Sequence, residues 1–406
     1  MGRSNFYLDN ARWLSAGTLL TFSTAFGQTF FISIFAGEIR TFFDISHSIW
    51  GLVYATGTFS SALLMILCGG LADRYEPRKI TMIIMVFFMF FALLMSTVKL
   101  IWMLPFIIFG LRFCGQGMLF HLSMVFAGRW FTRNRGRTIG IASLGLSLSE
   151  ASLPYLFVIC IGLFGWRASW GLAALSIGLL MIPLFFLLSK ERDPTSSEDS
   201  GVQRQSGMFG RHWKRSDVLK HWVFWAALPA LLFQSIFGTT FFFQQVYFVE
   251  LKGWQLNQYV ALIPLYTVTS LAGLFFGSIF IDRYSTSILL PLYMLPMTVG
   301  FIIIVFAKTL IGAGICFAFM GLMQGLANTV SGAFWPEYFG TKFLGSVRSV
   351  ATSLMVFASA LGPLISGYLI DSGFDLPNQY LAMAFLTVLA SIGMLFVSIG
   401  TRNAFK

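Results

Sequence analysis

The chain has 406 residues, of which 57% are hydrophobic and only 11% charged, with 46 phenylalanines and a net charge of +11. Soluble domains carry about 25% charged residues, so this balance excludes a soluble enzyme or binding module and predicts an integral membrane protein. The apolar runs are continuous rather than alternating, which excludes an outer-membrane barrel.

Twelve runs are long enough to cross a bilayer as helices: 13–36, 48–71, 80–98, 103–127, 138–163, 168–188, 222–248, 258–280, 287–307, 309–333, 345–370 and 380–400. The first follows Arg3 and Arg12 and outlasts a signal-peptide core, with no small-residue cleavage site, so it is read as a retained span. Most Lys and Arg fall on alternate connecting segments, beginning with the N-terminal one. The positive-inside rule then places both termini in the cytoplasm. That topology absorbs the positive charge, so no nucleic-acid partner is expected. The four cysteines sit inside apolar runs without metal-ligand spacing, and no metal site is expected.

The longest polar segment, from Lys190 to Lys220, carries Pro194, a Ser-Ser-Glu-Asp-Ser run and seven basic residues. It reads as a flexible cytoplasmic linker whose last part, Arg211 to Lys220, forms a short basic surface helix. It separates an N-terminal six-helix half (1–189) from a C-terminal one (221–406), with 190–220 between them. The halves repeat one another. Asp73-Arg74-Tyr75 returns as Asp282-Arg283-Tyr284. Phe26-Gly27-Gln28-Thr29-Phe30-Phe31 returns as Phe237-Gly238-Thr239-Thr240-Phe241-Phe242. Gln116-Gly117 returns as Gln324-Gly325, and Pro154 as Pro363. Matches in register point to duplication in parallel orientation, with an axis along the membrane normal.

The loop after the second run, Gly69, Asp73, Arg74, Arg78 and Lys79, resembles the Gly-x-x-x-Asp-Arg-x-Gly-Arg-Arg signature of the major facilitator superfamily. It departs from that signature at Glu76 and Pro77, and the second copy keeps Asp282 and Arg283 without the basic end. Arg112 followed by Gln116-Gly117 resembles a second motif of that superfamily in span four, and the Arg129 to Gly145 stretch is similar to the span four to five region of monocarboxylate-type porters. The resemblance implies an all-α membrane fold of 12 transmembrane helices in two pseudo-symmetric six-helix halves. It also implies transport by alternating access. The loop residues Gly69, Asp73, Arg74, Arg78, Lys79, Asp282 and Arg283 would act as a gate.

Ionisable groups at bilayer depth cost about 3 kcal/mol or more and need a reason. Arg112, His121 and Glu150 are three such groups. Arg112 and Glu150 fall at similar depth on consecutive antiparallel spans, and a pair between them is expected, as a fixed ion pair, as an anion site or as a proton-coupling site. His121 is a packing residue or a proton relay. Gln28, Gln234, Gln244, Gln245, Gln324 and Asn328 are candidate cavity-wall residues, and Gln116 shares a face with Arg112.

The expected function is secondary active transport of a small anionic, carboxylate-bearing solute, coupled as symport to protons and using no cofactor. The protein is expected to be a monomer in the inner (cytoplasmic) membrane. Proton-coupled efflux of amphipathic compounds is the alternative, with a sensor or enzyme on a transporter scaffold more remote. No nucleotide-binding loop or intramembrane catalytic motif is present in the sequence.

Overall fold

The computed structural model describes residues 6–68, 71, 75–131, 135–189 and 206–405, the side chains at 128, 129, 135 and 136 excepted. The described residues are helical throughout, joined by short turns. The chain divides into two compact units, Met1–Ser200 and Gly201–Lys406.

In the first unit the opening span is broken. Helix α1 (Ala11–Ser23) runs into a 3₁₀ turn at Thr24–Gly27, the chain extends at Gln28 (φ −87°, ψ 154°), and helices α2 (Thr29–Ile32) and α3 (Ala36–Phe43) continue after a 47° bend. Next come α4 (His47–Cys68), α5 (Pro77–Thr97), α6 (Met103–Leu111), a π-helical segment Arg112–Leu119 and α7 (Phe120–Trp130). Helix α8 (Arg135–Leu175) contains both the fifth and the start of the sixth expected run. They are separated at Gly165, whose φ of 78° and ψ of 164° only glycine adopts without strain. A second π segment and α9 (Ile182–Leu188) close the unit.

The second unit contains α10 (Arg215–Lys220), α11 (Trp222–Phe243), α12 (Gln245–Lys252), α13 (Leu256–Val260), α14 (Ile263–Tyr284), α15 (Thr286–Leu289) and α16 (Leu295–Phe306). Helices α17 (Leu310–Phe339), α18 (Leu344–Asp371) and α19 (Leu376–Gly400) complete it. Proline opens α5, α14, α16 and α19, where its missing N–H has no intrahelical acceptor to lose.

Nine helices among the described residues are long and apolar enough to cross a membrane, or ten if the bent pair at Gln28 is one span. The sequence reading expects twelve. The difference lies at three places: the first span is broken, Arg137–Leu188 forms one apolar run through the Gly165 break, and the ninth shortens to Leu295–Phe306 after a series of turns.

The pairing of helices repeats between the units. In the first, α1 packs on α8, α4 on α6, and α5 on α8; in the second, α11 packs on α18, α14 on α17, and α16 on α19. Helices in a bilayer gain no hydrophobic free energy by meeting each other, so close packing has to come from small residues. Helices α14 and α17 meet through Gly273, Gly277, Gly321 and Gly325, two Gly-x-x-x-Gly faces. A Cβ on Gly325 would lie 2.6 Å from Leu274 N, and one on Gly273 would lie 2.7 Å from Leu322 O.

From residue 206 onward, the segment expected to be a flexible tether is packed against the second unit. Trp213 N–H donates to Phe339 O at 3.1 Å, Met208 is fully buried, and a Cβ on Gly207 would collide with the Gly340 and Tyr338 backbone. Trp213 and Met208 are apolar and find cover at the end of α17, which the surrounding polar composition hides. The expected basic helix is present as α10. Residues 190–205 lie outside the described residues.

Candidate functional site

Arg112 begins the π segment, nine residues and so about 14 Å along the helix from the start of α6 at 1.5 Å per residue. Single-turn π insertions rotate the side chains that follow them and recur at functional sites. The side chain is 1% exposed. Its Nη1 donates to Gly27 O at 3.1 Å and faces Thr29 Oγ1 at 3.4 Å, and its guanidinium carbon lies 5.3 Å from the centre of the Tyr54 ring. The hydroxyls of Thr29 and Tyr54 are hydrogen-bonded to each other at 2.6 Å, and Tyr54 is completely buried. Nε and Nη2 donate to nothing among the described residues.

The break in the first span produces this arrangement. In a continuous helix the Gly27 carbonyl would accept from Phe31 N–H. Here Phe31 N–H turns to Gln28 O at 3.2 Å, and the released Gly27 carbonyl goes to Arg112. The two backbones approach closely because both carry glycine at the contact. A Cβ on Gly27 would run into the Leu111 carbonyl, and one on Gly115 would lie 2.9 Å from Gly27 Cα.

The ion pair expected between Arg112 and Glu150 is not formed. Among the described residues the partners of Arg112 are a carbonyl, a hydroxyl and an aromatic face. Similar depth on neighbouring spans does not bring two side chains together when the π segment turns one of them toward the first span. Glu150 is half-buried on α8, and His121 is half-buried on α7. Gln28 and Gln116 are half-buried beside the break and on the π segment, close in sequence to Gly27 and Arg112. Gln234 is half-buried on α11, whereas Gln244 and Gln245 are buried at the junction of α11 and α12 rather than on an open wall. Gln324 Nε2 donates to Asn328 Oδ1 at 3.1 Å, one turn further along α17. Asn328 also lines a cleft of about 420 Å³ with Asp282, Ser278 and Thr329.

Of the gate residues, Gly69, Asp73 and Arg74 lie outside the described residues. Lys79 pairs with Glu76 at 2.9 Å. Arg78 reaches the end of α9, donating to Phe186 O at 2.9 Å and to Ser189 Oγ at 3.2 Å and covering the Phe186 ring. Asp282 and Arg283 are exposed at the end of α14, where Arg283 lies over Tyr284. Sequence reasoning missed Thr29 and Tyr54. A lone threonine and a lone tyrosine in apolar runs carry no signal of their own until the break places them beside the arginine.

A sequence profile of the Major Facilitator Superfamily matches residues 17–314. The chain belongs to that superfamily. The superfamily chain is 22% identical over 406 residues to the "Probable sulfoacetate transporter SauU" of Cupriavidus necator, covering 90% of this chain and 89% of the relative. It is 23% identical over 386 residues to the "Hexuronate transporter" of Bacillus subtilis, with the same coverage of both chains. Among solved structures it resembles a bacterial homolog of the human lysosomal transporter Spinster. The inward-facing, unoccupied form of that protein matches with a TM-score of 0.70 at 17% identity, over 99% of this chain and 96% of the other. The occupied form matches at 0.66. This superfamily chain is therefore a multi-pass membrane transporter of a small-molecule substrate, and not an enzyme.

Proposed function

We propose that the protein is a secondary transporter that moves a small carboxylate-bearing anion across the cytoplasmic membrane by alternating access, with Arg112 binding the carboxylate. The observation that carries this reading is a deeply placed, buried guanidinium with two of its three nitrogens, Nε and Nη2, left unmatched. Such a cation is costly at this depth, and an anionic ligand offsets the cost. The names of both curated relatives support the same class, since sulfoacetate and hexuronates share a carboxylate.

On this reading the chain crosses the membrane twelve times with both termini inside. The broken first helix makes one crossing, the run through Gly165 makes two, and the turns leading into α16 complete another. The run from Arg137 to Leu188 has 52 residues. That is about 78 Å of helix against a hydrocarbon core of about 30 Å, enough for two crossings. Gln28, Gln116 and Thr29 line the carboxylate site of the first unit, and Gln324 and Asn328 are the candidate polar substrate contacts of the second unit. Transport is proton-coupled symport, with Glu150 as the proton acceptor and His121 as a candidate relay. Asp73, Arg74, Arg78, Lys79, Asp282 and Arg283 gate the movement.

Uptake of labelled sulfoacetate and glucuronate into proteoliposomes under an imposed pH gradient tests the reading. Arg112→Gln should abolish uptake of the transported acid. Glu150→Gln should remove accumulation driven by the gradient while leaving exchange of internal for external substrate. Gradient-driven accumulation in the Glu150 variant would remove the coupling role, and transport by the Arg112 variant would remove the anion site.

A further inference from the structure

Resting on the assignment of Arg112 as the anion site, we infer that the substrate carboxylate docks side-on to the Nε–Nη2 edge of Arg112. Thr29 and Tyr54 act as the positioning residues that keep this edge free.

The guanidinium has two usable edges. Nη1 is occupied, held by the Gly27 carbonyl at 3.1 Å and facing the Thr29 hydroxyl at 3.4 Å. The end-on edge formed by Nη1 and Nη2 is therefore already half used. The N–H groups of Nε and Nη2 point the same way from the other edge, and both are buried without partners. Two parallel donors on one planar group match the two oxygens of a carboxylate, which a lysine ammonium cannot reproduce.

The orientation of the guanidinium is set from one side. The Gly27 carbonyl is free only because the first span breaks at Gln28. The Thr29 hydroxyl is held by the buried Tyr54 hydroxyl at 2.6 Å, and the Tyr54 ring lies beside the guanidinium. Removing the Thr29 hydroxyl leaves Nη1 to the Gly27 carbonyl alone, and removing the Tyr54 hydroxyl leaves the Thr29 hydroxyl unanchored, so either change loosens the guanidinium. In a planar guanidinium the Nε–Nη2 edge lies away from Nη1 and its two partners, and the carboxylate is placed on that edge. A ligand there meets a guanidinium still tied to the broken helix, so its binding is linked to the geometry of the first span.

Binding of glucuronate, sulfoacetate and the neutral glucuronamide to the purified full-length protein tests this, on wild type and on Arg112→Lys, Arg112→Gln, Tyr54→Phe, Thr29→Val and Thr29→Ser. Wild type should bind at least one of the two acids and not the amide. Arg112→Lys should lose roughly tenfold or more in affinity despite keeping its charge, as expected for a charge-assisted fork. Tyr54→Phe and Thr29→Val should each weaken the acid several-fold, and Thr29→Ser should restore it, because serine keeps the hydroxyl. A merely structural role for Thr29 would not distinguish serine from valine in this way. Full affinity in Arg112→Lys overturns the side-on fork and leaves the anion site standing. Full affinity in Arg112→Gln, or no acid bound by wild type, overturns both. Wild-type affinity in Tyr54→Phe together with Thr29→Val overturns the positioning role. Should Arg112→Lys fail to fold, the Thr29 pair, valine against serine, decides the inference.

Discussion

The Gly27 carbonyl accepts from Arg112 Nη1 at 3.1 Å in place of the Phe31 N–H that an unbroken helix would supply. One hydrogen bond thus joins the break in the first span to the cation on the fourth. The bond depends on close approach of two backbones, and Gly27 and Gly115 provide it.

Gly27→Ala should therefore be far more harmful than Gly238→Ala, although the two glycines match in the internal repeat. A methyl on Gly27 meets the Leu111 carbonyl, whereas nothing lies within 4 Å of a methyl on Gly238. Overpacking against backbone costs about 1–3 kcal/mol, and here it also displaces Arg112. Thermal stability and uptake measured on both variants check this, with Gly238→Ala expected to behave as wild type.

Gly325→Val should destabilise the second unit by a similar or larger amount. Its Cβ would crowd Leu274 N at 2.6 Å and Gly273 C at 2.9 Å, forcing α14 and α17 apart. Gly332→Val on the same helix has open space and serves as the comparison. Thermal unfolding in detergent should separate the two clearly.

Lys252 caps the end of α16. Its Nζ donates to Val305 O at 2.7 Å and to Ala307 O at 3.0 Å, using carbonyls that the helix itself leaves unmatched. Burial holds the ammonium pKa below its usual value. Lys252→Met keeps the aliphatic stem and removes the donors. A loss of about 1–2 kcal/mol is expected, read as a lower melting temperature.

His221 makes the docked segment pH-sensitive. Its Nδ1 accepts from Val223 N–H at 3.4 Å at the start of α11, and its ring packs on Trp213. Burial, and then the charge of Arg211, lower its pKa from the usual value. The unfolded chain therefore binds the proton more readily than the folded one. Stability is full above about pH 6.5 and falls as the pH drops below it toward the folded pKa. Melting temperature followed from neutral to mildly acidic pH should decline in wild type. The decline should be shallower in His221→Asn, whose side chain still accepts the Val223 bond without titrating.

The sequence by itself determined the class of this protein. Continuous apolar runs, sparse charge and a repeated Asp-Arg-Tyr loop require a helical membrane protein built twice over, because backbone polar groups in lipid must be satisfied within each helix. It also singled out Arg112, since a cation in such a run stands out by its cost. Tertiary structure alone decided what Arg112 touches. Depth along two spans suggested Glu150, but the partner of a side chain depends on rotation about the helix axis, and a π segment changes that rotation without changing composition. The break at Gln28 likewise has no mark in hydropathy, since glutamine, glycine and threonine occur in unbroken spans of the same chain. Only the folded backbone frees the Gly27 carbonyl, brings Thr29 and Tyr54 to the guanidinium, and leaves one edge of it unmatched.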